Sequence, residues 1–301
     1  MLRRPVVLLA ALTAALLVLA VPAGAAAAPA FPVTIHAANG DVQITTRPTR
    51  IVSLSPTHTE TLFAIDAGSQ VIAVDDQSNY PPRAPRTNLS GYHPNVEAIV
   101  SYRPDLVVVS DDGGLVASLR KVGITVLFEP AADNLAQAYD EMRQLGAATG
   151  HAARAKAVVS SMQVTMTKLI RSVPKRSRHL KVFHELGPDL YSATSKTFIG
   201  QVYRTFGFQN IADAADKSGN GYPQLSNEYV LAANPDLVVL SDTKCCAQTA
   251  KTVAARPGWS NVAAVRGHGV IGVSDDIASR WGPRIVDFVR IVAAAARRSE
   301  S

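Results

Sequence analysis

The sequence predicts an α/β protein of two Rossmann-like lobes with parallel sheets, joined by one long helix. Three observations predict it. Short, continuous apolar runs such as Leu106 to Val109 and Leu237 to Leu240 alternate with helical segments, the pattern of strands buried on both faces. Glu97 to Asp111 matches Glu228 to Asp242 without a gap at an offset of 131 residues, and the same offset carries Arg50-Ile-Val-Ser-Leu54 onto Lys181-Val-Phe-His-Glu185. Between the two matching halves, His151 to Val173 places Val158, Met162, Met166, Leu169, Ile170 and Val173 at three- and four-residue steps, on one face of a helix. Such a helix is ~33 Å long at ~1.5 Å per residue, enough to cross a small domain. Gly150 stands before it and Pro174 stops it. The expected organisation is a signal peptide over 1–30, an N-terminal lobe over 31–149, a connecting helix over 150–174 and a C-terminal lobe over 175–301.

The elements follow in order. Val33 to Ile44 predicts a hairpin turning at Asn39-Gly40. Arg50 to Leu54 is the first core strand. Ser55-Pro56-Thr57 opens a helix in which Thr57 and Glu60 have capping-box spacing and which Gly68 ends. Val71 to Val74 is a strand that leads into the irregular loop Asp75 to Pro82. Asn95 caps a short helix carrying Glu97. Leu106 to Val109 and Thr125 to Phe128 are strands, Leu115 to Val122 is a helix between them, and Leu135, Ala138, Met142 and Leu145 mark the helix before the connector. The second half repeats the scheme. Val182 to Glu185, Leu237 to Leu240 and Val270 to Val273 are strands, and Phe198 to Phe206 is a helix. Ser226 caps a helix carrying Glu228, and Trp281 to Ala296 is the closing helix.

Composition bounds the function. The chain has 301 residues, 47% of them hydrophobic, which suffices for two ordinary cores. Its 30 Lys and Arg against 24 Asp and Glu are spread out, with no basic stripe interleaved with aromatics, so no nucleic-acid partner is expected. Arg3 and Arg4, an apolar run from Val6 to Val21 and small residues at Ala23-Gly-Ala25 and Ala28-Pro-Ala30 predict a cleaved export signal. No cysteine lies near the cleavage region to carry a lipid, so the expected location is periplasmic or extracellular. The only cysteines, Cys245 and Cys246, are adjacent in a loop. They can close only a small ring, and they have no neighbours at zinc-site spacing, so a local redox or structural role is expected.

Catalytic patterns are missing. No Gly-x-Ser-x-Gly elbow, phosphate-binding glycine loop or dinucleotide fingerprint occurs. His184-Glu185 lies in a strand and is followed by Gly187-Pro188, where a metalloprotease needs a helix and a second His. No enzyme activity, cofactor or resident metal is expected. The strand-end loops instead carry Tyr80, Tyr92, Tyr191, Tyr222 and Trp281, rings with polar tips that suit the walls of a site for a large, partly apolar ligand. In open α/β sheets ligands bind beyond the carboxyl ends of the strands, and two facing lobes bring those ends into one cleft.

The residues in this pattern also carry a resemblance. Arg50-Ile-Val-Ser-Leu-Ser-Pro-Thr-His-Thr-Glu60, Asn79-Tyr80-Pro-Pro82, Asn95-Val-Glu97 with Pro104-Asp-Leu106, Tyr222-Pro-Gln-Leu-Ser-Asn-Glu228 and Pro283-Arg284 are similar to motifs of the substrate-binding proteins of ABC importers for vitamin B12, ferric siderophores and haem. The resemblance covers the chain from the hairpin to the closing helix and is strongest to the vitamin B12-binding members. It implies a monomeric class III binding protein that holds a small-molecule metal chelate, a corrinoid foremost, between its lobes. It implies Tyr80, Tyr191 and Tyr222 as cleft aromatics, with Asp275, Asp276 and Arg280 against the ligand. Where a B12-binding member has a Trp before the Glu97 helix, this chain has Gly91, Tyr92 and His93, and Tyr92 and His93 are candidate contacts. The resemblance further implies an ABC permease dimer as partner, docked through Glu97 and Glu228. Both also fit the first turn of a helix, where the dipole favours a carboxylate. Haem or a ferric siderophore in the same cleft is the alternative ligand. An exported enzyme using the Cys245-Cys246 loop is the alternative class, without a nucleophile–base pair to support it.

Overall fold

The computed structural model describes residues 31–298. The expected signal segment 1–30 lies outside the described residues. β1 (Val33–Ala37) and β2 (Gly40–Ile44) pair antiparallel, with Val33 opposite Ile44 and Ala37 opposite Gly40. The turn is therefore Ala38–Asn39, one position earlier than the Asn39-Gly40 dipeptide suggests. The physical reason is that the Asn39 side chain is used elsewhere. Its Nδ2 donates to the Val126 carbonyl at 2.9 Å and its Oδ1 accepts from Phe128 N at 3.2 Å, which ties the hairpin to the sheet.

β3 (Ile51–Leu54), β4 (Val71–Val74), β5 (Leu106–Val109) and β6 (Val126–Phe128) form a parallel sheet in the order β4-β3-β5-β6. β7 (Lys181–Glu185), β8 (Gln209–Asn210), β9 (Leu237–Leu240) and β10 (Val270–Gly272) form a second parallel sheet in the order β8-β7-β9-β10. The two orders are equivalent, strand for strand. The apolar runs are continuous because both faces are covered. In the first sheet Ile51, Leu106 and Val108 face one core while Val52, Val107 and Val109 face another. In the second, Val182, Leu237 and Val239 face one core while Phe183, Val238 and Leu240 face the other.

The repeat extends to side chains. Asp105 accepts from Arg50 N at 3.0 Å, and Asp236 accepts from Lys181 N at 2.8 Å. The Arg50 guanidinium donates to the Tyr102 carbonyl, and the Lys181 ammonium to the Ala233 carbonyl. Asn95 and Ser226 cap the helices Val96–Ser101 and Asn227–Ala233 by accepting from Ala98 N and Tyr229 N. Arg103 and Asn234, which follow those helices, share a left-handed φ of 49°. Each contact lies at the offset read from the sequence.

Between the sheets run the helices Leu135–Thr149 and Ala152–Arg171. Gly150 joins them at φ 79°, and Gly146 lets them close on each other: a Cβ there would lie 2.3 Å from the Ala155 methyl. Tyr139 and Met142 pack with Val159, Met162 and Met166, and the same core continues to Val289 and Val292 of the closing helix. That helix is Ile285–Arg298 and starts four residues later than the sequence suggests. Gly282 and Pro283 interrupt it, which leaves Trp281 in the preceding loop. The helix Pro56–Ala64 has Ser55 at its N-cap position without a side-chain cap hydrogen bond, and Thr57 and Glu60 form no capping box because Glu60 is buried against arginines of the other lobe. It ends before Gly68, which instead opens the 3₁₀ turn Gly68–Gln70. The short helices Ala250–Ala254, Ala263–Arg266 and Asp275–Ala278, like the two-residue β8, are too brief to show a period in the sequence.

Candidate ligand cleft between the lobes

The carboxyl ends of the strands from both sheets meet around a cavity of about 250 Å³. Ser55-Pro56-Thr57 follow β3, Asp75 and Gln77 follow β4, and Ser110-Asp111 follow β5; Asp276, Arg280 and Trp281 close it from the other lobe. A second cavity of about 320 Å³ shares Gly91, Tyr92 and Asp111 with the first and adds His93 and residues 112–115. A third, of about 330 Å³, shares Ser279 and Trp281 with the first and reaches Asp133, Phe198 and Tyr222. The three are connected through the first, which meets the second at Tyr92 and the third at Trp281. Among the described residues, the exposed large apolar side chains are Tyr80, Tyr92, Tyr191, Tyr222 and two valines. A surface this sparing with apolar groups leaves these aromatics as the outstanding unfilled contacts.

The cleft floor is charged and buried. Glu60 is 3% exposed and is gripped by two arginines of the other lobe. Its Oε1 accepts from Arg280 Nη1 at 2.7 Å and its Oε2 from Arg284 Nε at 2.8 Å. Arg280 also donates to Asn79 Oδ1 at 3.0 Å, the Gln77 carbonyl at 3.1 Å and Asp276 Oδ1 at 2.8 Å. Asp276 Oδ2 accepts from Asn79 Nδ2 at 2.9 Å and from Lys244 Nζ at 3.2 Å. Burial works against the ionised form of Asp276, but the Asn79 hydrogen bond and the charges of Arg280 and Lys244 hold its carboxyl below the usual range. The Arg284 guanidinium lies 4.3 Å from the centre of the Tyr80 ring. This stacks one face of Tyr80 against a cation.

Trp281 is positioned from below. Its Nε1 donates to Glu141 Oε2 at 2.8 Å, and His58 meets its ring edge-on at 6.2 Å between centroids. His58 is buried, with no partner on either ring nitrogen and Glu141 Oε2 4.0 Å away. Burial lowers the His58 pKa to about 3, so the ring is neutral. Burial raises Glu141 to about 7 against the hydrogen bond from Trp281, and burial and the Glu141 charge raise Glu129 to about 8.

The residues singled out from sequence fall into three groups. Tyr92, His93, Tyr222, Asp276, Arg280 and Trp281 line the connected cavities. Tyr80 stands beside Asn79 in the interlobe network, and Tyr191 bridges to Gln224 in the second lobe. Asp275 turns to the loop after β9, where it accepts from Thr243 Oγ1, Lys244 N and Cys245 N. Arg280 is only 7% exposed, with its guanidinium committed to protein partners. Glu97 and Glu228 are both exposed, each in the first turn of its helix. Cys245 and Cys246 are joined by a disulfide. Sequence reasoning missed His58, Glu60, Asn79, Glu141 and Arg284 as site residues. The available signal was Glu60 next to Leu62 and Phe63, a carboxylate on a face that must be buried.

Among the described residues, no group of three or more His, Cys, Asp or Glu is arranged to hold a metal, and no helix is long and apolar enough to cross a membrane.

Comparison with known proteins agrees with this architecture. The chain is 32% identical over 274 residues to the uncharacterized ABC transporter substrate-binding lipoprotein YvrC of Bacillus subtilis, covering 87% of this chain and 85% of the relative. It is 32% identical over 275 residues to a cobalamin-binding protein of Halobacterium salinarum, covering 88% of this chain and 74% of the relative. The fold superposes on the periplasmic vitamin B12-binding protein BtuF of Vibrio cholerae with a TM-score of 0.69 at 23% identity, over 84% of this chain and 98% of that one. It superposes on the periplasmic haem-binding protein RhuT of Roseiflexus with a TM-score of 0.70 at 22% identity, over 84% of this chain and 99% of that one. With residues 51–276 matching the periplasmic binding protein family, this chain belongs to that family.

Proposed function

We propose that the protein is the exported substrate-binding component of an ABC importer, and that it holds a corrinoid in the interlobe cleft for delivery to a membrane permease. The carrying observation is the run of three connected cavities lined by Tyr92, Trp281 and Tyr222, with the exposed Tyr80 and Tyr191 outside them. A chelate with a broad planar face and polar side chains fits a long cleft whose walls offer rings and whose floor offers fixed charge. The names of the cobalamin-binding relatives support the corrinoid reading. The haem-binding neighbours make haem the second reading, and Tyr80, with an exposed ring edge beside Arg284, is the residue that would serve it.

Fluorescence of Trp281 tests this, with the buried Trp259 as a steady background. Titration with cyanocobalamin, with correction for its absorbance, is expected to quench saturably at submicromolar ligand. Tyr80→Ala and Tyr222→Ala are each expected to weaken binding about tenfold, the worth of one aromatic face contact of roughly 1–1.5 kcal/mol. Saturation by hemin or a ferric siderophore with no response to cobalamin would transfer the site to that ligand. No response to any of the three would remove the chelate reading.

Docking follows from the matched glutamates. Glu97 and Glu228 occupy equivalent places in two equivalent lobes, so the protein offers a near-twofold pair of carboxylates to a dimeric permease. The Glu97→Lys/Glu228→Lys double variant is expected to bind cobalamin normally while supporting about tenfold less uptake in cells. Undiminished uptake by that variant would rule these residues out as docking contacts.

A further inference from the structure

The Cys245–Cys246 disulfide joins neighbours in the chain. The stability a cross-link confers grows with the length of chain it closes, and this bond closes no loop beyond its own ring. Stabilisation of the fold therefore does not account for it. Its surroundings point to reactivity instead. Both cysteines are exposed, and exposed disulfides are the ones that exchange.

The bond also organises the segment around it. The loop leaves the carboxyl end of β9, and its Lys244 touches Asp276 of the cleft lining. The Asp242 carbonyl accepts from Cys246 N at 3.2 Å, and Asp275 accepts from Thr243 Oγ1 at 3.2 Å, Lys244 N at 3.1 Å and Cys245 N at 3.1 Å. These donors converge on one carboxylate only while the backbone at residues 243–246 keeps its tight turn. Lys244 Nζ then reaches Asp276 Oδ2 at 3.2 Å, and Asp276 is held by Asn79 of the first lobe and by Arg280. The disulfide thus stands next to Lys244, whose partner Asp276 makes a contact that joins the lobes.

We propose that Cys245–Cys246 is a thiol-exchange site beside Lys244 and the Asp275–Asp276 pair, opened by a dithiol reductant, and that its reduction frees residues 243–245 from Asp275 and Asp276. One thiolate of the reductant attacks Cys246 Sγ. The Sγ–Sγ bond breaks, and Cys245 leaves as a thiolate that takes up a proton. The second thiolate of the reductant attacks its own sulfur in the mixed disulfide, which releases Cys246 as a thiolate and closes the reductant's disulfide. Two electrons and two protons pass from the dithiol to the protein.

The intact protein is incubated with dithiothreitol without denaturant, its thiols are trapped with iodoacetamide, and the adducts are counted by mass. Both cysteines are expected to be alkylated. Trypsin cleavage after Lys244 is then expected to run about tenfold faster in the reduced than in the oxidised protein, as expected of a segment released from its anchors. The Cys245→Ser/Cys246→Ser variant is expected to be cleaved at the reduced rate whether or not dithiothreitol is present. Absence of trapped thiols without denaturant would overturn the exchange site. Cleavage of the fully reduced protein at the oxidised rate would overturn the release. Neither readout depends on which ligand the cleft holds.

Discussion

Glu60→Ala is expected to destabilise the protein by about 3–5 kcal/mol, the cost of leaving buried charges without their partner. Glu60 is the single anion between Arg280 and Arg284, and it is 3% exposed while Arg280 is 7% exposed. Removing it strands the Arg284 guanidinium of the second lobe against the first and leaves Arg280 with Asp276 as its remaining carboxylate. For a protein of this size that loss corresponds to a melting temperature lower by roughly 10 °C, at about 2–4 °C per kcal/mol. Arg284→Met in the same background is expected to recover part of the loss, because it removes the stranded charge while keeping bulk. Thermal unfolding followed by circular dichroism measures both. A melting temperature within a degree or two of the parent for Glu60→Ala would mean that water reaches the arginines freely. The ligand site also depends on this contact, since Arg284 backs Tyr80 and Arg280 fixes Asp276.

Stability is expected to fall as pH rises from 6 to 9. Burial raises Glu129 to about 8 and Glu141 to about 7, and burial together with the neighbouring Glu185 charge raises Asp242 to about 7. The folded protein therefore holds protons that the unfolded chain releases above its ordinary carboxyl range. Stability from these groups is fully present below the ordinary carboxyl range, is lost at about 1.4 kcal/mol per group per pH unit as pH climbs to the folded values near 7 and 8, and levels off above them. The buried histidines act at the other end. His58 and His184 are lowered by burial to about 3, so the unfolded chain takes up protons below about 6.5 that the folded one refuses. Between pH 6.5 and 8 the carboxyl groups dominate among these five, and the sign is set by them. Melting temperature measured at pH 6, 7, 8 and 9 is expected to fall by roughly 10 °C in total, nearly all of it below pH 8. Glu129→Gln/Glu141→Gln is expected to flatten most of that slope, and a melting temperature that rises across the range would refute the protonation scheme.

Much of the fold was legible because the sheets are buried on both sides. A parallel strand covered by helices must be apolar at every position, so Leu106–Val109 and Leu237–Leu240 declare themselves. The helix caps at Asn95 and Ser226 are local chemistry and were equally readable. The cleft aromatics Tyr92, Tyr222 and Trp281 were legible for a related reason: rings in loops at strand ends have little core to enter. What stayed hidden depends on contacts across the chain. Glu60 meets Arg280 and Arg284 over separations of 220 and 224 residues, and its place beside Leu62 and Phe63 signals burial without naming those partners. Asn39 looked like a turn residue and serves as a clasp on β6. Glu141 sits in an ordinary amphipathic helix, and only the position of Trp281 gives its carboxyl a task.

The apolar cluster that runs through the connecting helices has a thermodynamic consequence. Tyr139 and Met142 from before the connector, Met162 and Met166 within it, and Val182 and Leu237 under the second sheet belong to one packed body. The first sheet's core, which holds Ile51, Leu106 and Val108, takes in Leu145, Ala148 and Ala155 of the same two helices, and Val158 packs against both cores. Neither half can melt while the other keeps its full set of neighbours, so the two sheets form one cooperative unit, and heat is expected to produce a single calorimetric transition. Low-energy fluctuations are then left to the segments outside that body, which are the loops at the mouth of the cleft.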